Sequence, residues 1–384
     1  MQYLMVSLIL LGLTGCSTLY PQQELPPPVS IEPVEPLLAV AWDQVPGWRE
    51  STPSAGLETF IYSCQAIGRK TEWALPCAEA LSVPAADEQR ARQFFEYYFI
   101  PHQVRNEDGS EQGTITGYYV PELNGSRTRS ERYQYPLYRQ PDDLLIVDLK
   151  EIYPDLAHMR LRGRLEGNRV VPYYDRSEID NGGRPLEGNE LLWVEDPVDL
   201  FFLHIQGSGR IRLDDGELVM VNYANQNGHL YKSIGKLLLE RKAMTRSQMS
   251  MQNIRLWVEQ NPEAGQKLLD ENPSYVFFRE LEAGVESPPG ALGIPLTAER
   301  SIAVDRRTVP LGAPVFLSTT WPSSEKPLRR LMVAQDTGGA IKGQVRADFF
   351  WGMGDDAGAL AGRMKQTGRM WVLLPRPFEE TAQD

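Results

Sequence analysis

Hydrophobic and polar positions divide the chain into a long strand-rich stretch flanked by helical stretches. Residues 87–99 begin with acidic residues and then place apolar residues at helical spacing, which predicts a helix. From about Gly113 to Val221, short apolar runs alternate with turn clusters such as Asn124-Gly125, which predicts strands of a β-barrel or sandwich. The predicted strands are 116–120, 144–149, 169–174, 191–194, 200–205 and 218–221.

The second half of the chain returns to helical spacing and then to strands. Helices are predicted at 231–244, at 247–260 with Ser247 as the N-cap, and at 262–270. A short helix is predicted at 356–365. Strands are predicted at 301–304, 315–317, 328–335, 344–350 and 370–374. The pattern therefore predicts a C-terminal β unit and helix-rich flanks around an intervening all-β segment.

The N-terminus carries an apolar run that is too short to span a bilayer as a mature helix, residues 3–13. It ends in the tetrapeptide LTGC, which resembles the lipobox of bacterial lipoproteins and implies cleavage before Cys16 and acylation of that residue. The lack of Lys or Arg before the run departs from the usual pattern. An ordinary signal peptide followed by an unrelated cysteine stays open. Ser17 after the cysteine is typical of lipoproteins of the outer membrane.

The segment that follows is rich in proline, and two further cysteines come after it. Residues 20–36, YPQQELPPPVSIEPVEP, predict a semi-rigid tether that reaches roughly 50 Å at about 3.1 Å per residue. Cys64 and Cys77 are a candidate disulfide in an oxidising compartment, with two buried free thiols as the alternative.

Composition and the motifs that are absent limit the partners and the catalytic groups that the chain can use. The net charge is −12, from 39 basic and 51 acidic residues, which argues against a nucleic-acid partner. The four histidines show no metal-ligand spacing, and the chain has neither a Gly-x-Ser-x-Gly elbow nor a phosphate-binding Gly-Lys-Ser/Thr loop. We therefore expect no metal and no cofactor, and carboxylates become the candidates for catalysis.

Three aspartates lie in distinctive sequence motifs near the C-terminus. Asp305 and Asp336 each close a predicted strand, and Asp348 lies late in a strand beside aromatic residues that would raise its pKa by desolvation. The structural alternative is that such aspartates cap turns. The triplet Asp336-Thr337-Gly338 is also that of an aspartic protease, but that chemistry needs a second such triplet and the chain has none.

These motifs and others upstream resemble one family. AVDRRTVPLGAPVFL and QDTGGAIKGQVRADFFWGMGDDAGALAGRM resemble the three-aspartate (3D) module of the membrane-bound lytic murein transglycosylase A family. The similarity extends upstream through GYYVPELNGSR, YPLY, VEDPVDLFFLHIQGSGRI, VNYANQNGHLYKSIGK and NPSYVFFRE. It covers residues 98–375 in the same order.

The resemblance implies a mainly β fold with helices, in which a double-psi β-barrel bears the aspartates and a second β-barrel domain is inserted into it. The expected organisation is a signal peptide at 1–15 and a lipidated tether at 16–40. The catalytic domain would comprise 41–112 and 242–384, and the inserted domain 113–241. A groove between the two barrels would bind the glycan.

The resemblance also implies roles for single residues. Asp348 corresponds to the catalytic acid and base, Asp336 to a supporting carboxylate beside it, and Asp305 to a structural residue behind them. Residues expected to line the groove from the inserted domain are Tyr119, Gln206, Ser208, Tyr223 and Asn227.

The implied activity is lytic cleavage of peptidoglycan between N-acetylmuramic acid and N-acetylglucosamine, which leaves a 1,6-anhydro end. Two alternatives stay open: a muramidase-like hydrolase that uses Asp348 and Asp336 as its two carboxylates, and a noncatalytic wall-binding lipoprotein. The implied partners are the glycan strands, the lipid bilayer through Cys16, and other proteins of murein synthesis or hydrolysis. The expected location is the periplasmic face of the outer membrane.

Overall fold

The structure, a computed structural model, describes residues 34–156 and 159–377, without the side chain of residue 247. Cys16, the predicted signal peptide and most of the predicted tether lie outside the described residues. None of the helices in the described ranges is long and apolar enough to cross a membrane.

The described residues form strands and α-helices in the following order. The strands are β1 (Leu37–Ala39), β2 (Phe99–Val104), β3 (Gly113–Val120), β4 (Glu122–Ser126), β5 (Tyr135–Tyr138), β6 (Leu145–Ile146), β7 (Arg162–Glu166), β8 (Arg169–Pro172), β9 (Glu190–Val194), β10 (Ser208–Leu213), β11 (Leu218–Gln226), β12 (Val276–Glu280), β13 (Ser301–Val304), β14 (Pro314–Thr320), β15 (Pro327–Asp336), β16 (Arg346–Met353) and β17 (Lys365–Pro375). The helices are α1 (Ser54–Ile67), α2 (Thr71–Ala80), α3 (Glu88–Tyr98), α4 (Arg176–Asn181), α5 (Pro197–Gln206), α6 (Ile234–Glu240), α7 (Met251–Gln260), α8 (Pro262–Asp270) and α9 (Gly354–Ala361).

The first sheet joins strands from both ends of the chain. Its order is β1-β2-β17-β14-β15-β13-β16-β3, and β17 also pairs with β3. Because of that additional pairing, the six strands β17, β14, β15, β13, β16 and β3 close into a ring. Most pairs are antiparallel, but β13 runs parallel to β15 and β16 runs parallel to β3. The strands of the ring share one dense apolar core with the helices before β2, and this core includes Phe316, Phe349 and Trp371.

The middle of the chain forms a second sheet in the order β12-β11-β10-β4-β9-β5. A bridge between Arg139, directly after β5, and Phe278 in β12 brings the two edge strands of this sheet together. A third, three-stranded sheet of β6, β7 and β8 lies in the same part of the chain. Two strands pair differently from the predicted domain organisation. Strand β3, which lies in the predicted inserted domain, pairs within the first sheet, and β12, which lies in the predicted catalytic domain, pairs with β11 of the second sheet.

The helices before β2 pack against the ring. Gly56 in α1 lies against Leu331 of β15, where a side-chain carbon on the glycine would come within 2.8 Å of the leucine. A disulfide joins Cys64 in α1 to Cys77 in α2, with Cα atoms 5.5 Å apart. The predicted helix at 87–99 corresponds to α3, whose N-cap Asp87 accepts a hydrogen bond from the backbone N–H of Arg90.

One predicted strand, 200–205, is wrong, because these residues belong to helix α5. The Asp196 carboxylate accepts hydrogen bonds from the first turn, Pro197 follows it, and Gly207 ends the helix in a left-handed conformation. The run Leu200–Leu203 is buried on all sides, so its sequence does not distinguish a buried strand from a buried helix. Helix α7 similarly begins after Ser250 rather than at Ser247.

Candidate active site

Two of the three aspartates lie in one row across the first sheet. Ala303 in the central strand β13 is the register partner of Asp336 in β15 and of Asp348 in β16. Asp348 is in turn the partner of Thr116 in β3. Register partners direct their side chains to the same face of a sheet, so Asp336, Asp348 and Thr116 share one face. Two strand spacings separate the Cα atoms of the aspartates by about 9.5 Å.

Asp348 is half-buried and has one hydrogen-bond donor among the described residues. The Thr116 hydroxyl donates to its Oδ1 at 2.5 Å. Burial raises the pKa of Asp348, while the Thr116 hydrogen bond and the positive charge of Arg346 oppose that rise. The result is a carboxyl group that keeps its proton to a higher pH than an exposed aspartate does.

Asp336 is anchored by the backbone rather than by side chains. Its Oδ1 accepts hydrogen bonds from the N–H of Ala291 at 2.9 Å and of Thr337 at 2.8 Å. Burial raises the pKa of Asp336 to about 6, and the negative charge of Asp348 adds to the rise, although the two amides oppose it. Asp336 is therefore a second carboxyl group on this face that keeps its proton to a higher pH than an exposed aspartate does.

Tyr118 lies on the same face, two residues after Thr116. Its hydroxyl is buried, and no atom of the described residues forms a hydrogen bond of ordinary geometry with it. Burial raises the pKa of this phenol, and the charges of Asp336 and Asp348 raise it further, so its hydroxyl lies close to both carboxylates. The ring packs against Phe350, with centroids 5.1 Å apart. This buried donor lies beside two acids, where it can bond to Asp336 or to a ligand.

Asp305 fixes the segment that joins β15 to β16. Its carboxylate accepts hydrogen bonds from the Arg307 side chain and backbone, and from the Gly343 N–H at 3.0 Å. The hydrogen bonds from Arg307, followed by those from the two backbone amides, hold the pKa of Asp305 at about 2. Asp305 is therefore a permanent anion that ties the end of β13 to the loop between the two strands carrying Asp336 and Asp348.

A buried polar network supports Asp336 from behind. Gln335 is fully buried, accepts from the Ser301 hydroxyl at 2.5 Å, and donates to the Ser63 hydroxyl of α1 at 2.9 Å. Every polar group of the Gln335 side chain is therefore paired. This pairing fixes the end of β15 to α1 and to β13, which limits the movement of the following residue, Asp336.

Residues from the second sheet complete the surroundings of the acidic pair. Met220 of β11 belongs to one apolar cluster with Tyr118, Leu296 and Phe350. Ser208, a predicted groove residue, accepts a hydrogen bond from Asn222 at 2.8 Å, and Asn222 reaches the carbonyl of Pro289 at 3.4 Å. Pro289 lies two residues before Ala291, whose amide donates to Asp336. Ser208 is therefore linked through Asn222 to the loop that holds Asp336.

The other predicted groove residues divide into two groups. Gln206 accepts from the Tyr119 N–H at 3.1 Å and so borders β3. Tyr223 is half-buried; burial raises its pKa, which the nearby positive charges of Arg160 and Arg162 oppose. Arg160 also lies beside Gly339, in the turn after Asp336, where a side-chain carbon would come within 3.9 Å of its guanidinium.

The structure places Tyr119 and Asn227 away from the acidic face. The Tyr119 ring lies on the opposite side of β3 against α9, where a side-chain carbon on Gly358 would come within 2.7 Å of it. Asn227 is 1% exposed, donates to the carbonyls of Tyr174 and Pro273, and accepts from the Tyr275 amide. Its amide group is fully used by the backbone, so Asn227 has no free polar atom to offer a ligand in this structure.

The sequence analysis missed three side chains near the acids: Thr116, Tyr118 and Arg346. Alternation along β3 places Thr116 and Tyr118 on one face, but choosing that face required knowledge of the β3–β16 pairing. Thr116 and Asp348 are 232 positions apart, a separation that no local pattern reveals. Among residues 34–156 and 159–377, no group of three or more His, Cys, Asp or Glu side chains is arranged to hold a metal ion.

Comparison with known proteins gives two family matches, one for the middle of the chain and one for its C-terminal part. Residues 114–279 match the MltA specific insert domain, and residues 300–374 match the 3D domain. Membrane-bound lytic murein transglycosylase A of Escherichia coli K12 is 36% identical over 282 residues, which cover 72% of this chain and 69% of the relative.

Solved structures agree over most of the fold. MltA from Neisseria gonorrhoeae, in its monoclinic form, is 41% identical, with a TM-score of 0.77 over 89% of this chain and 93% of that one. Escherichia coli MltA with bound chitohexaose is 29% identical, with a TM-score of 0.67 over 89% of this chain and 95% of that one. By sequence and by fold, the chain belongs to the membrane-bound lytic murein transglycosylase A family.

Proposed function

We propose that this chain is a lytic transglycosylase that cleaves peptidoglycan glycan strands between N-acetylmuramic acid and N-acetylglucosamine, with Asp348 as the acid and then the base. The observation that carries the proposal is the row of Asp336, Asp348 and Thr116 on one face of the first sheet. Chitohexaose, the ligand of the Escherichia coli relative, is a chain of amino sugars, which supports a glycan as the substrate.

In the proposed reaction, Asp348 donates its proton to the oxygen that links the two sugars, and the bond from that oxygen to C1 of N-acetylmuramic acid breaks. An oxocarbenium-like state follows, in which the ionised Asp348 lies near the developing positive charge. Asp348 then takes the proton from the C6 hydroxyl of the same sugar as that oxygen bonds to C1. The product is a 1,6-anhydro end, no water is consumed, and Asp348 is protonated again.

The neighbours of Asp348 suit these two steps. A group that first donates and later accepts a proton needs a pKa near the working pH, and burial raises the pKa of Asp348 toward that range. Asp336 would hold the proton on the pair through its negative charge. Tyr118, whose buried hydroxyl lies beside both acids, would donate a hydrogen bond to the bound sugar.

The proposed architecture follows the same resemblance. The closed six-stranded ring is proposed to be a double-psi β-barrel, and the second sheet a barrel inserted into it, with the glycan groove between them. From the strand pairings we place the inserted domain at about 122–281 rather than at 113–241. The Cys16 lipid anchor and the periplasmic face of the outer membrane are proposed as the location, in keeping with the membrane-bound relatives.

A hydrolytic reaction is the second candidate, favoured by one observation. Hydrolytic glycosidases use two carboxylates that flank the scissile bond, and Asp336 lies on the same face as Asp348, close enough for the charge of Asp348 to raise its pKa. Mass spectrometry of digested murein sacculi distinguishes the two reactions, because an anhydro end and a reducing end differ by one water. Anhydro products support the proposal, whereas reducing ends alone would assign a hydrolase.

Asp348→Asn tests the assignment of the acid. The substitution keeps the size of the side chain but removes its acidic proton, so product release should fall by about 10²–10⁴-fold or more. Asp356→Asn, at an exposed carboxylate in the first turn of α9, is the matched control and should retain activity. Glycan binding by Asp348→Asn should survive. Full activity of this variant would exclude the mechanism, and binding without any product from the unmodified chain would indicate a noncatalytic wall-binding protein.

A further inference from the structure

We propose that Thr116 and Arg346 form a positioning arm that engages one oxygen of Asp348, Oδ1, so that the transferable proton resides on the other oxygen, Oδ2. The inference rests on the proposed function of Asp348 as the acid. It assigns roles to two residues in strands β3 and β16, neither of which is expected to touch the glycan.

The arm is a chain of two hydrogen bonds along the strand row. Arg346 Nη2 donates to the Thr116 hydroxyl oxygen at 2.8 Å, and that hydroxyl donates to Asp348 Oδ1 at 2.5 Å. The Arg346 guanidinium also donates to the carbonyl of Thr114 at 3.3 Å and to that of Ala347. Contacts to both strands therefore fix the guanidinium in place, and it in turn fixes the Thr116 hydroxyl.

The directions of these hydrogen bonds follow from the groups themselves. A guanidinium group only donates, and a hydroxyl group has a single proton. Because Thr116 accepts from Arg346 and has no acceptor besides Asp348 among the described residues, its proton is directed at Oδ1. A carboxyl proton on Oδ1 would meet that proton head-on. The protonated form of Asp348 consequently carries its proton on Oδ2, which no group of the described residues engages.

The charges around Asp348 give the arm a second effect. Burial disfavours the ionised form of Asp348, Asp336 from β15 adds a second acid on the same face, and the buried phenol of Tyr118 from β3 lies close to both acids. Arg346 opposes these influences, as does the Thr116 hydroxyl, and both lower the pKa of Asp348. Lys365 of β17 is the register partner of Thr116 and is exposed to solvent. Arg346 is thus the partly buried cation that favours release of the proton during bond cleavage.

Variants of Thr116 separate this role from a purely structural one. Thr116→Val keeps the branched shape suited to a strand but has no hydroxyl, whereas Thr116→Ser restores the hydroxyl. For the valine variant, acting on soluble glycan strands, we expect kcat to fall about tenfold and KM to change less than about twofold, since the glycan contacts are kept. The alkaline limb of the kcat profile should move to higher pH by about one pH unit, because the ionised carboxylate loses a charge-assisted hydrogen bond. Thr116→Ser should return both values toward those of the unmodified chain.

Arg346→Met provides an independent test should the valine variant fail to fold. It should move the alkaline limb in the same direction, while Arg346→Lys, which keeps the charge, should shift it less. Carbon-13 NMR of the aspartate carboxyl groups in the full chain reports the same pKa without turnover, with Asp348→Asn identifying the signal. The Asp348 midpoint should rise in both Thr116→Val and Arg346→Met.

The outcomes distinguish this inference from the proposed function. Suppose that Asp348→Asn is inactive, but that folded Thr116→Val and Arg346→Met leave the alkaline limb of the kcat profile and the NMR titration midpoint of Asp348 unchanged. The arm then has no role in proton placement, and the inference is overturned. If Asp348→Asn keeps its activity, the proposed function itself fails, whatever the other variants show.

Discussion

Replacing Asp336 by asparagine should move the pH profile of the enzyme without abolishing activity. Asparagine keeps a side-chain oxygen to accept from the amides of Ala291 and Thr337, so the surrounding loop should remain in place. What the substitution removes is a negative charge about two strand spacings from Asp348, or about 9.5 Å between Cα atoms.

The magnitude of the shift follows from that separation. At an effective dielectric constant of about 20, two unit charges about 9.5 Å apart repel by roughly 1.7 kcal/mol. This repulsion disfavours the ionised form of Asp348, and at about 1.4 kcal/mol per pH unit it corresponds to a displacement of the activity profile by about one pH unit. Without it, Asp348 loses its proton at lower pH, so the alkaline limb of the activity profile should move down by about one pH unit.

The effect should also depend on pH in a defined way. The pKa of Asp336 is raised by burial to about 6, so below that pH the residue is itself neutral. The profiles of Asp336→Asn and the unmodified chain should therefore converge below pH about 6 and diverge above it. Moderate salt should change the difference little, because both carboxylates are partly buried and salt screens such pairs weakly.

The assay is release of anhydro products across the acid and neutral range, with thermal melts as the folding check and Asp356→Asn as the control. An upward shift of the limb would refute the charge argument. A loss as complete as that of Asp348→Asn at every pH would show that Asp336 takes part directly in bond breaking, as a hydrolytic mechanism requires.

Three further predictions concern stability and location. Asp305→Asn should lower the free energy of unfolding near neutrality by up to about 2 kcal/mol, because the pKa of this buried carboxylate is depressed to about 2. Denaturant titrations should show the full difference in unfolding free energy above pH about 4, and the difference should disappear as the pH falls toward 2. A difference that is independent of pH would contradict the ion-pair origin. The double substitution of Cys64 and Cys77 by serine should lower the unfolding free energy by about 3 kcal/mol, and unchanged melts would show that the crosslink constrains little in the unfolded chain. Cys16→Ala should leave the protein soluble or as an unprocessed precursor on membrane fractionation, so a lipidated, membrane-bound variant would place the anchor elsewhere.

Much of the local structure was predictable, since it depends on neighbours in sequence. The capped helix α3 and the strands that carry Asp336 and Asp348 follow from spacing and turn residues. The buried helix α5 could not be predicted from its spacing, because an apolar run without a polar face lacks the periodicity that distinguishes helix from strand.

The site was predictable in its acids but not in their neighbours. Motif resemblance drew attention to Asp305, Asp336 and Asp348, while Thr116, Tyr118 and Arg346 gain their significance only when β3 pairs with β16. Asn227 is the opposite case. It lies in a conspicuous motif, but in the structure its amide group is paired with backbone atoms of neighbouring segments.

The additional pairing of β17 with β3 has a consequence for how the enzyme comes into being. Strand β3 comes from the first third of the chain, whereas β16 and β17 lie close to its end, so the ring closes only after nearly the whole polypeptide is available. Bringing such distant segments together is entropically costly and slow compared with forming local helices. A nascent or C-terminally truncated chain has Thr116 but lacks its partner Asp348. On the proposed role of Asp348, the capacity to cut glycan would appear only with the completed fold.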